Sequence, residues 1–269
     1  MIVEDQVKYN NLLFHLAVFL SGDISSKSMK FIIGLSNSGK STLMEIVASM
    51  FGPFACKVSP TLFLSNHATK NENPHAHQAG MMPLEYARLV LVSELPINGE
   101  LDAEKVSRFV GDELFSVRPL GASPIQIYNY CHFVVLCNNA PRIAGNDKDH
   151  QNMVGKIDCI ELLRKFPRVS GFKESLDTQE FRNELFTLYV RYAKSYYTEG
   201  LPSTDTAHIL GKYSTDPVSR FISDCLIASE MPDVPSVEVT NAFRWYSKTM
   251  CLNCCIDKLG AINRTDHSK

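Results

Sequence analysis

The sequence has no long apolar run, no excess of basic residues and no internal repeat. No stretch reaches the roughly 18 consecutive apolar residues that a membrane span requires. The first five residues carry two acidic side chains and no basic one, unlike the start of a signal peptide. These absences predict an intracellular protein of the cytoplasm or nucleus, with no membrane partner and no secretion.

The balance of charge excludes one way of binding nucleic acid. The chain carries 27 Lys and Arg residues against 29 Asp and Glu residues, for a net charge of -2. A nucleic-acid partner would therefore have to bind in a local groove rather than on a broad basic surface.

Cysteine clusters are also scarce. The eight cysteines are scattered apart from Cys251, Cys254 and Cys255, which is typical of reduced thiols. A structural zinc site needs four ligands, and His267 is the one histidine downstream of this cluster. An amphipathic helix with buried thiols is therefore the favoured interpretation, and zinc is the alternative.

What the sequence does contain is a pattern of alternating helices and strands. Apolar residues at helical spacing over residues 3–20 predict an N-terminal helix. Three short apolar runs predict buried strands: Met29–Ile33, Leu89–Val92 and Phe133–Leu136. Extended segments at residues 115–118 and 125–128, with Gly-Ala-Ser-Pro between them, predict a hairpin. The alternation favours an α/β fold with a central, mainly parallel sheet.

The chain changes character beyond about residue 160. Amphipathic helices are predicted at residues 178–197 and 218–228, and the polar link at residues 200–215 indicates a domain boundary.

A phosphate-binding motif follows the first strand. Residues 34–41 fit the pattern G-x-x-x-x-G-K-[ST] in full, between a strand candidate and a helix candidate. The predicted nucleotide-binding residues are Gly34, Leu35, Ser36, Asn37, Ser38, Gly39, Lys40, Ser41 and Thr42. The glycines let backbone N–H groups turn toward phosphate oxygens. Lys40 is predicted to reach the β and γ phosphates of ATP, and Ser41 to bind Mg²⁺. A plain glycine turn between strand and helix is the alternative.

Polar residues follow the two later strand candidates. Glu94 comes directly after Leu89–Val92 and Ser93, where it is predicted to hold Mg²⁺ and activate water at the carboxyl edge of the sheet. Asn138 follows the third strand and is predicted to hold the attacking water or the γ phosphate. Taken singly, a surface glutamate and a turn-forming Asn-Asn pair are ordinary alternatives. Lys40, Glu94 and Asn138 together form the predicted catalytic set, with Ser41 and Glu94 on the metal.

In this order the motifs resemble the helicase domain of superfamily 3, in the branch of phage and plasmid primase–helicases and poxvirus-type primase–helicases. The four corresponding segments are residues 34–42, 88–94, 107–120 and 133–141. The third departs from the family pattern, with Ser107 for its lysine and Val110 for its threonine.

The resemblance, which covers about residues 11–160, implies a P-loop NTPase core of the AAA+-like type. The predicted organisation is a helical N-terminal segment at 1–28, the ATPase core at 29–200, and a linker with a partial, winged-helix-like helical appendage at 201–269.

The resemblance also implies an ATP-dependent DNA helicase of viral, phage or plasmid replication. Such motors are homo-hexamers on single-stranded DNA or a fork, with a primase or other replication proteins as further partners. A channel hairpin would make Arg118 and Tyr128 DNA contacts, with an ordinary sheet hairpin as the alternative. The finger arginine that acts on a neighbour's ATP corresponds to Lys156, with Arg142 as a second candidate. Lysine lacks the planar fork of arginine.

Two other functions stay open on the sequence. A non-helicase P-loop ATPase that remodels protein complexes would turn over ATP without stimulation by DNA. A nucleotide-binding structural subunit would bind ATP with little turnover, as the lysine at position 156 would favour.

Overall fold

The computed structural model describes residues 6–65, 80–96, 99–119, 121–144, 152–162, 169–176, 178–214, 216–225 and 236–250. The chain divides into two compact units, residues 1–206 and 207–269. Among the described residues, every helix is too short or too polar to cross a membrane. The zinc alternative at Cys251, Cys254 and Cys255 lies outside the described residues.

The strands of the described residues are β1 (Met29–Gly34), β2 (Ala55–Val58), β3 (Leu89–Val92), β4 (Glu100–Asp102), β5 (Leu114–Val117), β6 (Ile125–Tyr128), β7 (His132–Cys137), β8 (Arg142–Ala144) and β9 (Ile157–Leu162). Five of them form the central sheet in the order β2-β3-β7-β1-β9. All neighbouring pairs in this sheet are parallel. The predicted α/β class with a mainly parallel sheet and a P-loop-like core is confirmed.

The helices are α1 (Gln6–Ala17), α2 (Lys40–Phe51), α3 (Ala103–Gly111), α4 (Phe172–Leu176), α5 (Gln179–Glu199), α6 (Thr206–Lys212), α7 (Pro217–Cys225) and α8 (Ser236–Thr249). Two of the helix starts carry side-chain caps. Asp102 accepts hydrogen bonds from the backbone of Glu104 and Lys105 at the start of α3, and Thr178 accepts one from Phe181 at the start of α5.

The main core lies where α1, α2 and α5 pack on the sheet. Leu16 of α1, Val47 of α2 and Tyr189 of α5 are buried there against Ile32 of β1. Every residue of β1 is buried, because it lies inside the sheet with both faces covered. The strand that carries the phosphate-binding motif is therefore among the best-buried parts of the first unit.

The elements that were not predicted include β9 and α6. Residues 157–162 form β9, an edge strand whose Asp158 forms an ion pair with the buried Lys30 of β1. The link predicted at residues 200–215 contains α6, and its Thr206 side chain bonds the edge of β9. Thr206 Oγ1 accepts from the Cys159 amide at 3.1 Å and donates to the Ile157 carbonyl at 3.2 Å.

The second unit contains the helices α7 and α8. Its apolar cluster consists of Val218 and Phe221 from α7 with Phe243 and Tyr246 from α8. The rings of Phe221 and Phe243 meet edge to face at 5.2 Å. The winged-helix-like character of this region and the predicted domain boundaries stay predictions.

Candidate nucleotide-binding site

The strand register brings the predicted site residues to one edge of the sheet. Ile33 of β1 lies opposite Cys137 of β7, and Val92 of β3 lies opposite Val135 of β7. Glu94 comes two residues after Val92 and is therefore about level with Cys137 along the strand direction. The residue after Cys137 is Asn138, and the residue after Ile33 is Gly34. Because the strands are parallel, all three predicted motifs begin at the same carboxyl edge.

The loop between β1 and α2 is shaped by residues with unusual backbone requirements. A Cβ atom at Gly34 would lie 2.3 Å from the Leu162 carbonyl oxygen of β9, so only glycine fits there. Asn37 and Gly39 have left-handed backbones, with φ of 66° and 84°. The Ser38 amide donates to the Leu35 carbonyl at 3.2 Å. These features make a tight loop that ends at the first residue of α2.

Lys40 lies inside this loop. Its Nζ donates hydrogen bonds to the carbonyl oxygens of Gly34 at 2.6 Å and Leu35 at 2.9 Å, and to Asn138 Oδ1 at 2.8 Å. The Ser38 hydroxyl, itself buried, is a fourth acceptor at 3.2 Å. An ammonium has three N–H donors, so protein oxygens already satisfy all of them. A phosphate would bind Lys40 in exchange for some of these contacts.

The charge of Glu94 affects the pKa values of both Lys40 and Cys137. Burial lowers the pKa of Lys40, and the neighbouring Cys137 and Glu94 oppose that shift. Burial raises the pKa of the Cys137 thiol to about 12, with Lys40 lowering it and Glu94 raising it further. Glu94 itself is exposed. A cation and an amide thus meet at the end of the loop, with a carboxylate near enough to affect the pKa of the cation.

Ser41 follows Lys40 in the first turn of α2 and is exposed. A serine hydroxyl and a glutamate carboxylate are oxygen ligands of the kind that Mg²⁺ prefers. The residue types at this edge therefore fit a magnesium–phosphate ligand.

The two finger candidates lie at different edges. Arg142 is exposed at the start of β8, four residues after Asn138 and so near the loop edge. Lys156 precedes β9, and its carbonyl accepts from the Met29 amide at 2.8 Å at the opposite, amino edge of the sheet. The structure therefore does not bring Lys156 to its own chain's loop. Its role toward a neighbouring subunit stays a prediction.

The predicted hairpin is present as the antiparallel pair β5–β6. Arg118 follows β5, and its Nε donates to the Ala122 carbonyl in the turn at 3.2 Å. Tyr128 ends β6 with 63% of its surface exposed. Both candidate DNA contacts are thus on the hairpin.

Sequence reasoning missed one residue of the site environment, Cys137. Its thiol is buried directly before Asn138 and is electrostatically coupled to Lys40. A cysteine at the end of an apolar strand carries no signal that separates it from an ordinary core residue.

Comparisons with known proteins give one family match and one similar viral protein. A family of unknown function (DUF5906) matches residues 32–152, which is under half of the chain. "Putative helicase V13" of Sputnik virophage is 24% identical over 204 residues, covering 71% of this chain. This chain spans 26% of that relative's length. In sequence, the chain is therefore similar to a viral helicase-like protein.

The similarity of this chain to solved structures is weaker. The apo structure of the NrS-1 C-terminal region has a TM-score of 0.45 at 13% identity, over 86% of this chain and 49% of that one. A second form of the same region scores 0.42 at 14% identity, over 86% of this chain and 48% of that one. Scores at this level carry no weight for function.

Proposed function

We propose that this chain is an ATP-dependent DNA helicase motor of the superfamily 3 type, acting in viral, phage or plasmid genome replication. The observation that carries the proposal is the 2.8 Å contact between Lys40 Nζ and Asn138 Oδ1, which joins the phosphate-binding loop to the end of the neighbouring strand. The sequence similarity to a viral protein named as a putative helicase also supports the proposed function.

Each site residue has a distinct task in this proposal. The loop amides and the positive end of α2 bind the phosphates of ATP, and Lys40 exchanges protein oxygens for phosphate oxygens. Ser41 and Glu94 hold Mg²⁺, which when bound neutralises charge on the phosphates. Glu94 accepts a proton from the attacking water, and the Asn138 amide positions that water or the γ phosphate.

The motor acts as a homo-hexameric ring on single-stranded DNA or a fork, with a primase or other replication proteins as further partners. In a ring each subunit offers a finger residue to its neighbour's ATP, and Lys156 and Arg142 are the candidates. Replication of this kind takes place in the cytoplasm or nucleus of a host cell.

The Glu94→Gln variant is expected to bind ATP but to turn it over about 100-fold more slowly. Glutamine keeps the size of the side chain but cannot accept the proton, and general base catalysis is worth about this factor or more. ATP affinity should change by less than about 3-fold. Phosphate release and nucleotide titration measure the two quantities.

A matched control for Glu94 is Glu113→Gln, which changes an exposed glutamate before β5. Its turnover should equal that of the unmodified chain. Unchanged turnover in Glu94→Gln would remove Glu94 from the catalytic set.

The proposed function itself is tested by ATP turnover with and without single-stranded DNA, with the particle mass measured in the presence of ATP and Mg²⁺. Turnover is expected to rise several-fold with DNA, in particles with the mass of about six chains, because a strand in the channel engages every subunit.

Two results contradict the proposal. An ATP turnover rate that does not change with DNA favours a non-helicase ATPase that remodels protein complexes. ATP binding without turnover in assembled rings favours the structural subunit.

A further inference from the structure

The hydrogen bonds of Lys40 fall into two groups. Three of its acceptors belong to the phosphate-binding loop itself, namely the carbonyl oxygens of Gly34 and Leu35 and the Ser38 hydroxyl. The fourth acceptor, Asn138 Oδ1, lies just beyond the end of β7 and is 98 positions away in sequence. The contact with Asn138 therefore fastens the lysine of the loop to a neighbouring strand.

The strand register explains why these two side chains meet. Ile33 of β1 pairs with Cys137 of β7. Gly34 and Asn138 are the residues that follow them on these adjacent parallel strands. Lys40 begins α2, and its side chain returns to the loop, where it is buried. Asn138 is half-buried and accepts from the ammonium at 2.8 Å.

The loop uses its own polar groups in this arrangement. The Leu35 carbonyl accepts from the Ser38 amide at 3.2 Å as well as from Lys40 Nζ at 2.9 Å. A loop of this kind binds phosphate through its backbone N–H groups and the lysine ammonium. A phosphate must therefore displace protein oxygens from the ammonium before it gains that contact.

The contact with Asn138 is not needed to satisfy the donors of Lys40. An ammonium has three N–H groups, and three acceptors remain in the loop when Asn138 is removed. The contact acts instead as an additional attraction that favours the present position of the ammonium over a position on a phosphate. A hydrogen bond to a charged group contributes enough to shift such an equilibrium by about 10-fold or more.

ADP and ATP differ in what they return to Asn138. When the Lys40 ammonium moves to a β phosphate, the Asn138 amide loses its partner. In the proposed function the γ phosphate or the attacking water takes that place, and ADP has no γ phosphate. The free-energy cost of breaking the contact is therefore offset when ATP binds and is not offset when ADP binds.

We propose that Asn138 makes the site selective for ATP over ADP, because its bond to Lys40 breaks when either nucleotide binds and is replaced only in the ATP complex. This inference rests on the proposed function and deepens it, since it gives Asn138 a task in releasing the product. Product release limits the turnover of many enzymes, and weak binding of ADP favours it.

The test is calorimetric titration of the full chain with ADP and with a non-hydrolysable ATP analogue, at a fixed concentration of Mg²⁺. Asn138→Ala is expected to bind ADP about 10-fold more tightly than the unmodified chain does, because the competing acceptor is gone. Its affinity for the analogue should change by less than about 3-fold, since the variant also loses its contact with the γ phosphate. A merely structural role of Asn138 would weaken the binding of both nucleotides.

Two further variants serve as checks. Asn138→Leu keeps a branched side chain without an acceptor, so it should reproduce the effect of alanine. Asn139→Ala changes the next residue, an exposed asparagine, and should bind both nucleotides like the unmodified chain. A cooperative thermal transition shows that each variant is folded.

Equal or weaker ADP binding by folded Asn138→Ala overturns the selectivity inference and leaves the proposed motor standing. An equal gain in affinity for ADP and the analogue has the same consequence. Loss of the folded state in both Asn138 variants would make Asn138 a structural residue and would also overturn the inference. If the unmodified chain binds neither nucleotide, the inference and the ATP site of the proposed function fail together, so the two failures are distinguishable.

Discussion

Replacing Lys40 by alanine is expected to lower ATP turnover by about 1,000-fold or more, because a preorganised donor at a developing charge contributes on this scale. Lys40 Nζ is the cation at the convergence of the loop carbonyls and Asn138. It is already desolvated, so its interaction with phosphate oxygens is stronger than it would be in water.

The effect of Lys40→Ala on ATP turnover must be separated from its effect on folding. The side chain is only 8% exposed and bonds two backbone carbonyls, so its removal also loosens the loop. The thermal midpoint without nucleotide measures this loss, and phosphate release measures turnover. Lys57→Ala is the control, since Lys57 is an exposed lysine of β2. Turnover near the unmodified level in a folded Lys40→Ala variant would remove the basis of the ATPase assignment.

The strands that could be predicted from the sequence are those buried to a similar extent along their length. β1, β3 and β7 are mostly buried on both faces, so the sequence of each is a mostly apolar run. The phosphate-binding loop was also visible, because its glycines meet a local steric requirement. At Gly34 that requirement is the approach of the Leu162 carbonyl.

The elements that escaped prediction depend on partners far away in sequence. In β9, Asp158 interrupts the apolar pattern, and it is tolerated there because Lys30 compensates its charge across the strand pair. β2 has four residues, of which only Val58 is buried, so its pattern is too weak to identify. The contact between Lys40 and Asn138 joins residues 98 positions apart, and no local pattern encodes it.

The pair of Lys30 and Asp158 belongs to a larger buried polar cluster on the α1 side of the sheet. His132 begins β7 and is 2% exposed, and His15 of α1 is 1% exposed. Burial lowers the pKa of His15 to about 4, with Lys30 lowering it and Asp158 raising it. Burial lowers the pKa of His132 to about 3, with Lys30 and Arg88 lowering it and Asp23 raising it. Both rings are therefore neutral in the folded chain.

This cluster predicts a loss of stability as pH falls below 6.5. The unfolded chain then binds a proton at each histidine while the folded chain does not, so folding becomes less favourable until pH approaches the folded pKa values. At about pH 5 the loss is about 2 kcal/mol per histidine, or about 4 kcal/mol together. The carboxyl groups of Asp23 and Asp158 have pKa values lowered from 3.8, so their stabilisation is lost only at more acidic pH.

Urea unfolding followed by circular dichroism at about pH 7 and about pH 5 measures the difference in free energy of unfolding. His132→Leu and His15→Leu should each reduce that difference by about 2 kcal/mol, whatever they do to stability at neutral pH, because each removes one titrating group. His208→Leu, at an exposed position of α6, should keep the full difference. Equal stability of the unmodified chain at both pH values would contradict the prediction, because the folded chain would then bind protons at the buried histidines as readily as the unfolded chain does.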